Sequence, residues 1–334
     1  PERPPQLPAT QVPTYRAEVP LVAALPAQLR QADLAMLGNL HRRIGDEGHS
    51  GEQAAPALSE QRQVWARAVY ADLDLQQQGI AHARSDGHVS GLQTGTDLWV
   101  HENWRSGLYV GYLEGKADVT GNARGANVQV GSNNVQSRFL GGYATWMDSS
   151  GRYLDSVLQG GSQRYQVRPD INPQVSGKAT SFMASMEVGQ PLAVHPRWSI
   201  EPQAQLIYQR INAADLTLAG ASVTHDAASG WIGRLGMRVK GDLATAAGRL
   251  QPYGRANLYY ADFDDDSVTF IGPAGTTTIV TAGGYSAGEL AAGVTLALAR
   301  GTSLYGEVGH LWSMGGDTSV KSSIQASLGI KVAW

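Results

Sequence analysis

The chain has 334 residues, of which 42% are hydrophobic, and a formal net charge of -3. The lack of a basic excess argues against a nucleic-acid partner, and the absence of cysteine excludes disulfides and thiolate zinc sites. No apolar run reaches the roughly 18 residues of a membrane-spanning helix, whereas the strands of a transmembrane β-barrel need only about 9 to 11 alternating residues.

The N-terminal part predicts a linker, a helix and a connector. Residues 1–25 are rich in proline and lack periodicity, which is typical of an extended linker. Apolar residues recur at helical spacing over 26–44, and Gly45 is a suitable C-cap. Such a helix is roughly 28 Å long, but it is too charged to face lipid. Residues 45–62 form a polar connector.

We interpret residues 26–44 as a helix inside a pore. The polar residues of this helix that we expect to contact the pore wall are Arg30, Asp33, Asn39, Arg42 and Arg43. Because the chain starts at Pro1 without a charged and apolar leader, we expect it to be part of a longer secreted precursor.

From residue 63 to 334 the hydrophobic period changes to two. In the last segment, SSIQASLGIKVAW, apolar side chains occupy one parity and mostly polar or small ones the other, which predicts a strand with one apolar face. Twelve such strands are predicted, at 64–75, 89–101, 106–116, 135–147, 152–166, 179–192, 198–211, 230–242, 250–262, 286–299, 302–312 and 322–334.

The connectors between these strands alternate in length. Short ones such as ENWR, DSSG and AVHPR alternate with the long polar segments ADVTGNARGANVQVGSNN, NAADLTLAGASVTHDAAS and DFDDDSVTFIGPAGTTTIVTAGGY. An even strand number with this alternation predicts an all-β transmembrane fold, namely a twelve-stranded antiparallel outer-membrane barrel over 63–334. The 40 glycines fit the bends and close backbone approaches of a curved sheet.

Strand parity assigns each side chain to lipid or to the lumen. In WSIEPQAQLIY, for example, Leu206 faces outward and Glu201 inward. The predicted lumen-facing residues are Gln93, Asp97, Glu187, Glu201, Gln203, Gln205, Arg234, Arg238 and Glu289. These residues either contact the helix or only keep the interior solvated. If they contact it, the arginines of the helix lie near carboxylates such as those of Glu187, Glu201 and Glu289.

Several segments together resemble a known family. TYRAEVPLVAALPAQL is similar to the segment that leads into its pore helix, and NLHRRIGD is similar to the end of that helix. Similar to its successive strands are GLQTGTDLW, GGYATWMDSSGRYLDSVLQ, WSIEPQAQLIYQRI, GWIGRLGMRV and LQPYGRANLYY. The family is the translocator domain of monomeric (type Va) autotransporters, especially the pertactin and serum-resistance subgroup. The resemblance covers nearly the whole chain.

This resemblance implies a translocator that anchors and exports an N-terminal passenger. The expected location is the outer membrane of a Gram-negative bacterium, with the passenger at the cell surface. Expected partners are the passenger, outer-membrane lipid, the barrel-assembly machinery and periplasmic chaperones, with a monomeric barrel and no cofactor or nucleic acid. The C-terminal strand resembles the family's assembly signal, carried here by Leu328, Ile330, Val332 and Trp334.

One family reaction is disfavoured by the sequence. Some autotransporters cut their passenger by cyclisation of an Asn in an Asn-Asn pair before a helix end like NLHRRIGD. The corresponding pair here is Gly38-Asn39, which lacks the cyclising Asn. Passenger removal by another route stays open, and the passenger's activity is not encoded in this segment.

Two alternatives are an outer-membrane barrel enzyme and a diffusion porin. GYSAG matches the G-x-S-x-G nucleophile pattern, but it leads into a strand, so we expect Ser286 not to be catalytic. A porin is disfavoured by the pore helix and its linker. The acidic residues Asp262, Asp264, Asp265 and Asp266 suit either a Ca²⁺ site or a solvated loop.

Overall fold

A computed structural model of the protein describes residues 15–38, 40, 61–226, 229–298 and 301–334. Within them an α-helix, α1 (Glu18–Leu37), precedes twelve long strands. The strands are β1 (Gln63–Gln77), β2 (Arg84–His101), β3 (Trp104–Ala123), β4 (Ala126–Met147), β5 (Tyr153–Pro169), β6 (Val175–Gly189), β7 (Trp198–Ala213), β8 (Ser229–Gly241), β9 (Gly248–Phe263), β10 (Tyr285–Ala297), β11 (Thr302–Gly316) and β12 (Thr318–Ala333). None of the described helical residues forms a segment long and apolar enough to cross a membrane.

The twelve strands form a closed antiparallel ring in chain order. Each strand pairs with its sequence neighbours, and β1 also pairs with β12, with Val64 opposite Val332 and Tyr70 opposite Ala326. Closure gives the backbone groups of both terminal strands a partner, which a spanning sheet requires in hydrocarbon. The predicted twelve-stranded barrel is therefore confirmed.

The outer surface of the barrel has an apolar belt between two levels of aromatic side chains. On β7, Trp198 marks one level and Tyr208 the other, where it packs against Trp231 with ring centroids 5.0 Å apart. Ten residues at about 3.4 Å each, tilted by roughly 40°, give a height of about 25 Å, the usual height of a lipid-facing band. Exposed apolar side chains such as Leu206 and Leu235 lie between the two levels.

Leu235→Arg is expected to destabilise the barrel by about 2 to 4 kcal/mol, because Leu235 lies near the middle of this belt. Val239→Arg is the matched control: Val239 has the same outward orientation on the same strand, but it lies near the edge of the belt, where the cost falls to about 0 to 1 kcal/mol. Urea unfolding in lipid vesicles measures both. Equal losses would contradict this placement of the belt.

The two ends of the barrel differ. One end, here called the inner end, has short connectors and contains Gln63 and Ala333. The opposite, outer end has the two longest connectors, at 214–228 and 264–284. Long connectors are extracellular in outer-membrane barrels. The outer end therefore faces the cell exterior.

The long connectors contain secondary structure that the sequence analysis did not predict. The predicted connector ADVTGNARGANVQVGSNN continues β3 and β4 to a tight turn at Arg124 and Gly125. The other two long connectors pair with each other as a four-stranded antiparallel sheet, the outer cap. Its strands are Leu216–Leu218, Ala221–Asp226, Asp266–Gly272 and Gly275–Thr281.

The helix begins eight residues before the predicted start at Pro26. Residues 18–25 belong to α1 and not to a linker. Pro20 lies in the first turn, where backbone N–H groups have no intrahelical partner and proline is tolerated. The interior Pro26 removes the helical hydrogen bond to the Val22 carbonyl. Asn133 Nδ2 of the barrel donates to the adjacent Leu21 carbonyl at 2.8 Å.

The helix also ends earlier than predicted. The last residue of α1 is Leu37. Gly38 N–H donates to the Leu34 carbonyl at 2.8 Å, while the Gly38 ψ of 127° leaves the helical path. Asn39 and residues 41–60 lie outside the described residues. β1 starts at Gln63, where the barrel was predicted to begin.

Several strand pairs place an inward aromatic ring directly on a glycine. Tyr109 lies opposite Gly141, and a Cβ atom added to Gly141 would come within 2.1 Å of the Tyr109 ring. Tyr253 and Gly293 are related in the same way, at 2.0 Å. Such rings cover the backbone where glycine leaves space. The other pairs are Trp65 with Gly95, Tyr143 with Gly107, Tyr153 with Gly189, Tyr165 with Gly177, Phe263 with Gly230 and Tyr305 with Gly329.

Candidate functional site

The lumen of the barrel is the candidate site, and α1 runs through it from the outer cap to Arg67 on β1. Leu21, Leu25 and Leu29 are each at most 1% exposed. They belong to one apolar cluster with inward residues of the barrel, such as Tyr165, and with residues of the outer cap, such as Val223. Because nearly every residue of α1 is buried, the helix has no solvated face of the kind a surface helix shows.

A buried ion pair joins α1 to the outer cap. The Arg30 guanidinium binds the Asp266 carboxylate with two hydrogen bonds, of which Nη1 to Oδ1 is 2.8 Å. The two side chains are only 5% and 1% exposed. Arg30 also lies over the Phe263 ring, with Cζ 4.8 Å from the centroid. This geometry fixes the cap to the middle of the helix.

Neutral amides from the barrel wall hold the polar residues of α1. Gln163 Nε2 donates to Asp33 Oδ1 at 2.7 Å, and Gln209 Nε2 donates to the Arg30 carbonyl at 3.1 Å. Gln28 donates to Ser85 Oγ at 2.8 Å. These directional hydrogen bonds thus fix both the rotation of the helix about its axis and its depth in the barrel.

The C-terminal end of α1 meets a cation on β1. Arg67 donates to the carbonyl oxygens of Met36 and Gly38 and, through Nε, to Gln93 Oε1 at 2.6 Å. Gln93 in turn donates to the Met36 carbonyl at 3.3 Å. A positive charge at this end satisfies carbonyls that lack helical partners and complements the helix dipole.

Beside the C-terminal half of the helix, the lumen wall carries a belt of ion pairs, here called the lumen ion cluster. Arg255 binds two carboxylates at once: Nη2 is 2.9 Å from Glu289 Oε1 and 2.9 Å from Glu307 Oε1. Tyr259 and Tyr253 donate to the same two carboxylates, each at 2.8 Å. Every one of these contacts comes from the barrel itself.

The cluster continues around the wall onto β6, β7 and β8. Arg234 lies 2.9 Å from Glu187 and also donates to Gln205 at 2.8 Å. Arg238 lies 2.6 Å from Glu201. In the same region Gln203 donates to the Glu201 carboxylate at 2.6 Å.

A cavity of about 160 Å³ separates the end of α1 from this cluster. It is lined by Leu34 and Gly38 of the helix segment and by Glu187, Arg234 and Arg255 of the wall, among others. Its volume is sufficient for several waters but not for another helix. The lumen is therefore apolar around the N-terminal half of α1 and polar where the C-terminal half of α1 faces the lumen ion cluster.

The predicted partners of the helix arginines were wrong where the structure describes them. Arg30 binds Asp266 of the cap, not Glu187, Glu201 or Glu289, because each of these glutamates has an arginine on a neighbouring or nearby strand. Arg42 and Arg43 lie outside the described residues.

The remaining predicted lumen residue, Asp97, also lies inside the barrel, near the inner end. It binds Arg105 and accepts a hydrogen bond from Tyr143 Oη at 2.8 Å. Sequence reasoning missed Arg67, Arg255 and Glu307, although the same parity argument applied to LQPYGRANLYY would have placed Arg255 inward.

Neither the GYSAG motif nor the acidic segment at 262–266 has the surroundings that catalysis or calcium binding needs. Ser286 lies within β10 between Tyr260 and Gly315, without the strand-to-helix elbow of a nucleophile. Asp266 is committed to Arg30, while Asp264 is exposed. Among the described residues no group of three or more His, Cys, Asp or Glu is arranged to hold a metal ion.

The predicted assembly residues lie on the outer face of β12. Leu328 and Trp334 are 67% and 64% exposed. The Trp334 backbone N–H donates to the Arg62 carbonyl at 2.8 Å, and the Arg62 guanidinium lies 6.0 Å from the Trp334 ring centroid. Ile330 and Val332 are on the same outward parity.

One titratable side chain of the outer cap is shielded from water. Burial lowers the pKa of His225 below its ordinary value, and the nearby Asp215 carboxylate partly opposes this effect. The imidazole is therefore neutral near pH 7, which suits its position in the cap.

Comparison with known proteins agrees with this architecture. The autotransporter beta-domain family model matches residues 64–309. The BrkA autotransporter of Bordetella pertussis is 30% identical over 309 residues, which are 87% of this chain and 28% of that protein. The pertactin autotransporter of Bordetella bronchiseptica is 32% identical over 67% of this chain and 24% of its own length. The chain thus spans less than a third of these relatives.

Solved structures share the fold. The BrkA beta domain has a TM-score of 0.64 at 24% identity, covering 82% of this chain and 100% of that one. The transport unit of AIDA-I from Escherichia coli has a TM-score of 0.74 at 16% identity, covering 96% and 100%. With a family model matched over most of its length and a closed twelve-stranded barrel around a helix, the chain belongs to the autotransporter beta-domain family of the bacterial outer membrane.

Proposed function

We propose that this domain exports an N-terminal passenger through its lumen, anchors it in the outer membrane, and is sealed by α1 once export is complete. The observation that carries this proposal is the position of α1. The helix runs from the outer cap at Glu18 down to Arg67 on β1, so a chain segment that precedes it emerges at the outer end. This is the path that a passenger reaching the cell surface needs.

The polar and the apolar parts of the lumen suit different stages of export. The lumen ion cluster satisfies its own charges with wall residues, so it presents a polar surface with few free groups to which an unfolded segment could bind tightly. The apolar cluster around the N-terminal half of α1 is complete only when the helix and the outer cap pack together. We infer that the moving chain meets a weakly binding wall, and that the final segment stops where apolar packing becomes available.

The domain is proposed to act without enzymatic turnover. Ser286 lies in a paired strand, and the carboxylates of the lumen ion cluster are bound to arginines and tyrosines. Expected partners are the passenger and outer-membrane lipid, together with the barrel-assembly machinery and periplasmic chaperones during insertion.

A surface-display experiment tests this function. The chain is expressed in Escherichia coli behind a signal sequence and an epitope-tagged passenger, and the epitope is measured on intact cells by antibody labelling. Deletion of Trp334 is expected to lower surface labelling several-fold while synthesis is unchanged, because it removes an interfacial ring and the backbone donor to Arg62.

Ile324→Ala is the matched control, since it removes an exposed side chain from β12 outside the predicted assembly residues and without shortening the strand. Heat-modifiable mobility on gels reports how much barrel has assembled. Surface labelling that is absent with the intact, assembled barrel would overturn the export proposal. Normal assembly of the truncated chain would overturn the role of Trp334.

A further inference from the structure

The outer surface of β4–β7 carries a cluster of basic residues just above the apolar belt. The five residues face outward and are exposed. They are Arg138, Arg164, Arg168, Lys178 and Arg210, here called the basic band. On the described parts of β4 to β7, none of the outward-facing residues is acidic. The band is a local excess of cations on a chain whose net charge is -3.

Strand register places these cations side by side. Arg164 lies directly opposite Lys178 across β5 and β6, and Gln136, two residues from Arg138, lies opposite Arg164. Directly opposed side chains are about 5 Å apart at Cβ and diagonal ones about 7 to 8 Å. Like charges this close are unfavourable unless an anion lies between them.

The aromatic level of the outer end fixes the depth of the band. Tyr112 lies opposite Arg138, and Phe182 lies opposite Arg210. Aromatic rings at this position mark the boundary between hydrocarbon and headgroups. Arg138 and Arg210 are therefore at headgroup depth, while Arg164, Lys178 and Arg168 lie slightly further out, beyond the apolar Leu140 and Leu158.

The cations of the band have few partners within the protein. Arg168 donates to Gln166 at 2.6 Å and Arg210 to Asn212 at 3.3 Å, both neutral acceptors on the same strand. Within the described part of the chain, none of the five forms an ion pair. The nearest acid on the sheet surface, Glu114, accepts hydrogen bonds from Tyr112 and Gln136 on the neighbouring strands.

The neighbouring part of the same rim is arranged differently. On β1 to β3, outward cations lie beside carboxylates: Arg84 is 2.9 Å from Asp74, and Lys116 is 4.0 Å from Asp118. The unpaired character of the basic band is thus a property of one face of the barrel and not of the whole outer rim.

We propose that the basic band binds the phosphate groups of the phosphorylated glycolipid in the outer leaflet. Guanidinium groups match phosphate oxygens with two parallel hydrogen bonds, and their clustering at headgroup depth on the lipid-facing surface selects an anion that is attached to a lipid. Bound glycolipid would relieve the repulsion between neighbouring cations and hold this face of the barrel at a defined depth.

Two matched triple variants test the proposal in the refolded full chain. One neutralises the band with Arg138→Gln, Arg164→Gln and Lys178→Gln. The control removes the same charge elsewhere on the outer rim with Arg84→Gln, Lys116→Gln and Lys321→Gln. Bound lipid A carrying both phosphates is titrated and counted by native mass spectrometry, and heat-modifiable mobility confirms that each variant is folded.

The band variant is expected to bind lipid A at least about ten-fold more weakly than the wild type, equivalent to about 1.4 kcal/mol, while the control binds as the wild type does. Lipid A without phosphates should bind the wild type as weakly as the band variant. Equal binding by the two triple variants, or equal binding of both lipids, would overturn the proposal. Competition by millimolar inorganic phosphate alone would indicate a free-anion site and would also overturn it.

Discussion

Deletion of residues 1–38 is expected to convert a small, fluctuating conductance in planar bilayers into a larger and steadier one. A ring of twelve strands spaced about 4.8 Å apart and tilted by about 40° has a backbone diameter of roughly 25 Å, and one helix of about 10 to 12 Å fills most of the bore left by inward side chains. Removal of α1 empties that space.

The same deletion should lower the melting temperature of the barrel. Leu21, Val22, Leu25 and Leu29 are buried, and burial of each such side chain contributes about 1.5 to 3 kcal/mol. Deletion of residues 1–14, which leaves α1 intact, is the control and should change neither property. Unchanged conductance and melting after removal of α1 would contradict its role as the plug. A conductance that stays low while the melting temperature falls would show that the outer cap, and not α1, closes the pore.

Asp266→Ala is expected to destabilise the plugged barrel by about 3 to 5 kcal/mol, because it leaves the Arg30 guanidinium buried without a counter-ion. Asp264→Ala is the control: Asp264 is two residues away and exposed, and surface changes of this kind usually stay within about 0.5 kcal/mol. Thermal and urea unfolding of the folded barrel in detergent compare the two variants.

A double variant separates the ion pair from the shape of the site. Arg30→Met with Asp266→Leu should recover most of the stability, since replacing a buried pair by apolar side chains of similar size is often neutral or favourable. If Asp266→Ala and Asp264→Ala unfold alike, the contact between α1 and the outer cap does not stabilise the plug.

The barrel could be predicted from the sequence because each strand carries its own evidence. Alternation is a local pattern, so residues such as Glu201 and Leu206 were assigned to opposite faces without knowledge of their neighbours. The start of α1 was not predicted, since proline fits the first turn of a helix but usually breaks its interior. Pro26 was therefore predicted to be the start, although it lies inside α1 and Pro20 lies in the first turn.

The partners of the lumen charges could not be predicted, since they depend on contacts far apart in sequence. Arg30 and Asp266 are separated by 236 residues. The outer cap was missed for a related reason. Its strands, such as TTTIV at 276–280, are rich in threonine and lie inside polar connectors, so their alternation was weak until two connectors paired with each other.

The glycine and aromatic pairs of the lumen wall bear on how the strands find their register during insertion. A slip by one residue turns every side chain to the wrong face. The cost of exposing polar groups to lipid and apolar groups to water is then sufficient to oppose it. A slip by two residues keeps all faces correct, and hydrophobicity cannot detect it. Tyr109 would then leave Gly141 and meet Phe139 or Tyr143, where no space exists for its ring. The hairpins β1–β2, β3–β4, β5–β6, β9–β10 and β11–β12 each contain such a pair, so each of them resists the one alignment error that the membrane would accept.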